Sequence, residues 1–294
     1  MVEGRILKGI GGFYYVLAGE TLYECKARGV FKVQGKSPMV GDRVMITIQE
    51  ESPPLGVIED ILERSVILHR PLVANIDQAI IVFAVKNPEI HPILLDKLLI
   101  LCAHAGIRPL ICFNKTDLEA SPTIRELEGI YEAAGYNILL TSTRIPLGID
   151  EMNDVLKDRV TVFAGPSGVG KSSLLNVLEP GLTLQTGVIS EKIKRGKHTT
   201  RHSELIPLKN GGWVVDTPGF TSLDLEGVEA RDLAGYYLDF VPFIPACRFS
   251  DCGHINEPGC AVLEQVGKAI HPRRYESYKT IFAQVQEQRR NQPW

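Results

Sequence analysis

The stretch Val160-Thr161-Val162-Phe163-Ala164-Gly165-Pro166-Ser167-Gly168-Val169-Gly170-Lys171-Ser172-Ser173 decides how this chain is read. From Gly165 it fits G-x-x-x-x-G-K-[ST], a loop whose backbone N–H groups and lysine wrap a polyphosphate. Val160 to Ala164 reads as a buried strand feeding the loop, and a helix is expected to begin near Lys171. Gly165, Gly168 and Gly170 let backbone amides approach phosphate with no Cβ in the way. Lys171 is expected to reach the β- and γ-phosphates, and Ser172 to place its hydroxyl on Mg²⁺. The N-terminus of the following helix adds a favourable dipole. Pro166, Ser167, Val169 and Ser173 complete the expected cradle.

Two further motifs lie on either side. Upstream is Asn114-Lys115-Thr116-Asp117, the N-K-x-D pattern that reads guanine. The Asp117 carboxylate accepts from the base's N1–H and exocyclic amine, a pattern adenine cannot offer. Asn114 supports the loop and the purine's other edge, and the stem of Lys115 is expected to lie along the ring. Downstream is Asp216-Thr217-Pro218-Gly219, the D-x-x-G placed near a γ-phosphate and its magnesium. Asp216 is expected to hold a magnesium-bound water and Gly219 to donate its N–H to the γ-phosphate. In ordinary GTPases the guanine reader comes last; here it comes first, so the domain reads as a circularly permuted GTPase that takes GTP/GDP and Mg²⁺.

Other residues join this site. Thr141 and Ser142, in Thr141-Ser142-Thr143, are expected in the short loop that closes over guanine. Gly196-Lys197-His198-Thr199-Thr200 falls between the P-loop and D-x-x-G, where a GTPase keeps a mobile switch, and one of the two threonines is expected to meet magnesium. Phe220 follows Gly219 where Ras-type GTPases carry a water-orienting glutamine, and an aromatic cannot do that task. Either His198 supplies the function by general-base logic, or a partner does.

Composition sets the class. With 44% hydrophobic and 23% charged residues over 294 positions, the chain reads as a globular protein with room for two or three domains. The longest strictly apolar run, Ala79 to Val85, is too short to cross a bilayer, and Glu3, Arg5 and Lys8 interrupt any signal-peptide core. A cytoplasmic monomer without membrane contact is expected. A net charge of −3 gives no global argument for nucleic acid. Local runs differ: Lys192, Lys194, Arg195, Lys197 and Arg201 have no acid among them, and the segment from Lys268 onward is basic.

Along the chain, residues 1–68 read as short strands punctuated by glycine: Phe13–Leu17, Thr21–Cys25, Val44–Ile48 and Val57–Leu62. About five such strands suit a small barrel, an OB-fold first and an SH3-like barrel as the alternative. From 69 to 225 strand and helix alternate, which predicts a doubly wound, mostly parallel α/β sheet. Ile76–Val85 and Ile107–Phe113 read as buried strands, with helices over 92–105 and 123–134 and a further strand over 138–141. Residues 226–294 are expected to be helical, over 230–238, 261–267 and 273–290, around Cys247-x4-Cys252-x-His254-x5-Cys260. Three thiolates and one imidazole make a closed tetrahedral set for one structural Zn²⁺.

Together these features resemble the ribosome small-subunit-dependent GTPase A family, bacterial circularly permuted GTPases of late 30S maturation. The resemblance covers nearly the whole chain, from the barrel through the nucleotide motifs to Cys247, Cys252, His254 and Cys260. It implies an N-terminal OB-fold, 30S-stimulated GTP hydrolysis coupled to release, contacts of the barrel and the zinc domain with 16S rRNA, and a hydrolytic role for His198. Two rivals remain: an assembly module with vestigial nucleotide binding, and a P-loop kinase or ATPase, against which Asn114 and Asp117 argue.

Overall fold

Strand Val2–Ile10 (β1) ties the molecule together. In this computed structural model, residues 1–33, 35–69, 72–118, 122–180, 203–220, 225 and 227–290 are described. β1 pairs with Phe13–Ala18 (β2) on one edge. On its other edge it pairs first with Arg43–Glu51 (β4) and then, at Lys8, with Glu204–Pro207 (β12). The sequence pattern hides β1, because Glu3, Arg5, Lys8 and Gly9 interrupt any alternation; Gly9, read there as a break, is inside the strand.

The barrel closes as β1-β2-β3-β5-β4-β1, where β3 is Thr21–Ala27 and β5 is Pro54–Ile61. A short helix, Val30–Val33 (α1), stands between β3 and β4, and β3 and β5 run parallel. This ring is the OB-fold, so the SH3-like alternative falls away. Ile6, Val16, Cys25, Val44, Ile46 and Ile58 fill its interior.

A hairpin, Ile67–His69 (β6) with Leu72–Ala74 (β7), leads into the central sheet. That sheet has the order β10-β9-β8-β11-β13-β12. Its strands are Ile138–Leu140 (β10), Arg108–Asn114 (β9), Gln78–Ala84 (β8), Val160–Ala164 (β11), Trp213–Phe220 (β13) and β12. All neighbours pair in parallel except β12 with β13. Every residue of β8 is buried, as a strand covered on both faces must be. Ile81 and Phe83 pack on one side with Pro92–His104 (α2) and Pro122–Ala133 (α3). Ile80 and Val82 pack on the other with Ile149–Leu156 (α4) and Lys171–Leu178 (α5). The chain goes outward from β8 to β9 and β10, then returns to β11 on β8's other side. That reversal opens a crevice at the strands' carboxyl ends, where open α/β sheets bind ligands.

The C-terminal part is less helical than its sequence suggests. The helix expected over 230–238 is a 3-10 turn, Leu233–Tyr236, and that over 261–267 is Ala261–Glu264 (α6). Apolar spacing there comes instead from an aromatic cluster: Tyr237, Phe240 and Tyr278 have ring centroids 4.9 to 5.3 Å apart. Pro272–Arg290 (α7) is the one long helix of this part among the described residues, and the cluster rests on Ile93, Ile100 and Leu101 of α2.

Candidate nucleotide site and metal centre

β9 and β11 end side by side across β8, and each delivers one half of the site. Asn114, the last residue of β9, is buried, and its amide donates to the Val169 carbonyl at 2.8 Å. The Thr141 hydroxyl donates to its Oδ1 at 3.0 Å. Lys115, at φ +62, extends its ammonium to Gly168 O at 2.6 Å and Asn87 O at 2.5 Å. The guanine motif therefore clasps the phosphate loop directly. Gly170 (φ +100) must be glycine, since a Cβ there would overlap the Asn114 amide; at Gly165 it would overlap the Val82 carbonyl.

Asp117 is set by the loop after β10. The Ser142 hydroxyl donates to its Oδ1 at 2.6 Å and accepts the N–H of Arg144 at 3.1 Å. Arg144 Nε lies 3.8 Å from Asp117 Oδ2. Thr116 N–H and Oγ1 both donate to the Thr141 carbonyl, at 3.2 and 3.0 Å. Thr141 and Ser142 are thus brought to Asn114 and Asp117. Arg144 and Asn87 carry no motif and were not expected.

In the P-loop, Gly170 precedes the first turn of α5, and Lys171 donates to Gly165 O and Pro166 O, each at 2.7 Å. Burial pulls the Lys171 ammonium down to about 8. Pro166, Ser167, Gly168, Val169, Ser172 and Ser173 form the turn and the helix start around it. Asp216 and Gly219 lie on β13, one strand beyond β11, described here by their backbone. His198, Thr199, Thr200 and the basic run from Lys192 to Arg201 lie outside the described residues.

The second centre gathers Cys247, Cys252, His254 and Cys260, whose ligand atoms all lie within 4.8 Å of one another. His254 Nδ1 is 3.5 Å from Cys247 Sγ and 3.3 Å from Cys260 Sγ. Burial lowers the His254 pKa, favouring the neutral ring a metal ligand needs. Three sulfurs and a nitrogen at these separations fit tetrahedral Zn²⁺. Sequence reasoning missed what shapes the loop. The Glu257 carboxylate accepts the N–H of Gly253, Ile255 and Asn256 at 2.8, 2.8 and 2.9 Å. Tyr275 and Tyr278 of α7 donate to the carbonyls of His254 and Gly253. An acid three residues past a His is the only local sign of the first contact.

Among the described residues no helix is long and apolar enough to cross a membrane. The sequence matches the RsgA N-terminal domain family over residues 3–58 and the RsgA GTPase family over residues 60–226. A relative from Alkaliphilus metalliredigens (strain QYMF), a small ribosomal subunit biogenesis GTPase RsgA, is 48% identical over 292 residues, covering 99% of this chain and 100% of its own. The crystal structure of YjeQ from Thermotoga maritima superposes with a TM-score of 0.85 at 37% identity, over 97% of this chain and 98% of its own. YloQ, described as a circularly permuted GTPase, gives 0.83 at 35%, over 100% and 97%. Motif order, sheet order and these matches agree: the chain belongs to the RsgA GTPase family, enzymes that hydrolyse GTP.

Proposed function

We propose that this chain is a GTP hydrolase that binds the small ribosomal subunit late in its assembly, is stimulated by that particle, and leaves it on hydrolysis. The observation that carries the nucleotide half is the clasp of Asn114 and Lys115 on Val169 and Gly168. It joins a guanine reader and a phosphate loop into one site although the chain presents them in inverted order. The ribosomal half rests on the relatives named for small-subunit biogenesis.

Asp117 accepts from guanine, Asn114 supports the purine's other edge, and Thr141 and Ser142 hold both. The backbone from Gly165 to Ser173 cradles the phosphates. Lys171 exchanges the carbonyls of Gly165 and Pro166 for β- and γ-phosphate oxygens. Ser172, Asp216 and one of Thr199 and Thr200 would hold Mg²⁺, directly or through water; the ion would neutralise charge developing on the phosphates. Gly219 donates its N–H to the γ-phosphate, and His198 orients the attacking water. Cys247, Cys252, His254 and Cys260 would hold one Zn²⁺ whose work is structural, because the set leaves no open position.

The test is GTP turnover measured alone, with purified 30S subunits, and with 50S subunits. Stimulation by 30S alone is expected, weakening as salt rises, because contacts to RNA phosphates release counterions. Equal rates in all three overturn the ribosomal half. A competition in which ATP displaces GTP equally well overturns the guanine half.

A further inference from the structure

Across the seam between barrel and central sheet, three residues stand in one row. Lys8 of β1 is the register partner of Glu204 of β12, and Glu204 is the register partner of Asp216 of β13. Lys8 Nζ lies 3.0 Å from Glu204 Oε2. Lys8 and Glu204 are the one strand register pair between barrel and central sheet among the described residues, beside a shared apolar core that includes Leu7, Val40, Leu205 and Val215. β1 reaches it by shifting register between Ile6 and Lys8 against β2, the kind of irregularity that re-aims a strand. Nearby, the Arg5 guanidinium lies 5.8 Å from the Trp213 ring centroid at the start of β13, a second hold of β1 on the same strand pair.

The row has an electrostatic logic. Glu204 and Asp216 are register partners on an antiparallel pair, and two acids at such positions of the sequence destabilise a ladder. A cation on the far side of Glu204 offsets that repulsion, and the barrel supplies it. We propose that Lys8 is a positioning residue for GTP hydrolysis: through Glu204 it holds β12 in register with the strand that carries Asp216. This rests on the role given to Asp216 above, and it makes the barrel part of the hydrolytic apparatus rather than a tether alone. A partner that moves the barrel's first strand thereby moves the strand beside Asp216.

A charge-reversal cycle tests it, in the full-length protein: Lys8→Glu, Glu204→Lys, and the two together. GTP KM, kcat with and without 30S subunits, and thermal midpoint are measured for each. Lys8→Glu is expected to lower kcat roughly two- to five-fold, the worth of a half-exposed ion pair, with KM unchanged. Glu204→Lys loses its attraction to Lys8 but also its repulsion from Asp216, so it stays closer to the parent. The swapped pair restores kcat relative to Lys8→Glu, a recovery that independent sites do not show. Should a reversal fail to fold, Lys8→Met and Glu204→Gln carry the same cycle: Lys8→Met loses kcat, and adding Glu204→Gln, which removes the repulsion that Lys8 offsets, recovers it. A Lys8→Glu or Lys8→Met variant with the parent's kcat overturns the proposal. So does a swapped pair, or a neutral double, that recovers nothing over the Lys8 single. If 30S subunits do not stimulate the parent, the ribosomal reading has failed on its own, and the cycle is decided by unstimulated kcat.

Discussion

The side-chain amide of Asn114 donates to the backbone carbonyl of Val169 at 2.8 Å, across 55 residues of sequence. Both groups are buried, so the bond is worth most when its loss would strand a polar group. It makes the guanine reader a structural member of the phosphate loop. The contact also explains how the motif order can be inverted: the site needs β9 and β11 to end on either side of β8, not to follow each other in the chain.

Asn114→Asp keeps the acceptor for Thr141 and loses the donor for Val169. Nucleotide affinity is expected to fall about 5- to 150-fold, the cost of an unsatisfied buried group. The ratio of GTP to XTP affinity should stay near the parent's. Equilibrium titration with both nucleotides checks it, and unchanged GTP affinity refutes the brace.

Asp117→Asn acts on the base alone. It replaces the acceptor of two guanine donors with one acceptor and one donor, which suits xanthine's carbonyl. GTP affinity should drop roughly 5- to 150-fold, the value of one bidentate base contact, and XTP affinity should rise. Because the Ser142 hydroxyl can still donate to the asparagine oxygen, the loop around it should keep its thermal midpoint. A variant that binds GTP like the parent would remove Asp117 from the base site.

Lys171 predicts a pH dependence. Burial depresses its ammonium from 10.5 to about 8, so between those values the folded protein has released a proton that the unfolded chain retains. On that account stability gains as pH rises through this window. Phosphate, by contrast, requires the charged form. GTP affinity is fully present below about 8 and declines above it, by up to tenfold per pH unit. The ε-carbon resonance of Lys171 in ¹³C-lysine protein should titrate near 8 without nucleotide and higher with GTP bound. A midpoint near 10.5 in the free protein would cancel the effect.

What was legible in the sequence was chemistry carried by short, contiguous motifs. The P-loop, N-K-x-D and the four metal ligands each state their residue types within a few positions, and Val160–Ala164 and Lys171 were placed to the residue. What was not legible depended on partners far away. β1 carries three charged residues in nine because its edges are satisfied by β2, β4 and β12 rather than by a buried face of its own. The helix expected over 230–238 failed because Tyr237 and Phe240 owe their spacing to Tyr278, forty residues on. Glu257 reads as an ordinary surface acid until three amides are seen to converge on it.

Glu257 also yields a prediction for the metal centre. Burial resists its ionisation, but the N–H groups of Ile255, Gly253, Glu257 and Asn256 outweigh that and hold it below the usual carboxylate range. It therefore shapes the loop around His254 as a charged acceptor. Glu257→Ala should lower zinc affinity about 10- to 100-fold in chelator competition, as loss of an outer partner does, with Glu257→Gln recovering part. Chelation should open residues 241–262 to protease, because metal binding and folding are linked in so small a module. Metal analysis finding no zinc in protein purified without chelator would defeat the assignment.

Arg274 of α7 fixes the C-terminal part to the nucleotide domain. Its guanidinium is buried between Asp96 of α2 and Asp239, pairing with Asp239 Oδ1 at 2.9 Å and directly with Asp96 Oδ1. The Tyr237, Tyr131 and Tyr136 rings lie 4.5, 5.1 and 5.5 Å from it, the latter two from the segment that follows the guanine motif. Removing one ion from such a cluster strands the others, so Arg274→Met should cost about 3–5 kcal/mol in urea unfolding. Replacing all three ions with apolar residues of similar volume should cost far less, because no charge is left buried alone. GTP affinity should survive in both, since none of the three touches the P-loop. The same packing bears on how the zinc module can be probed. Deleting everything after Leu225 would bare Ile100 and Asp96, both 1% exposed, so a truncated protein would fail by aggregation before its response to 30S could be read. Arg274→Met protein keeps the module present while loosening its seat. If the loosened seat matters for the ribosome, 30S-stimulated turnover should fall while unstimulated turnover holds; equal loss of both would place the effect in the nucleotide domain.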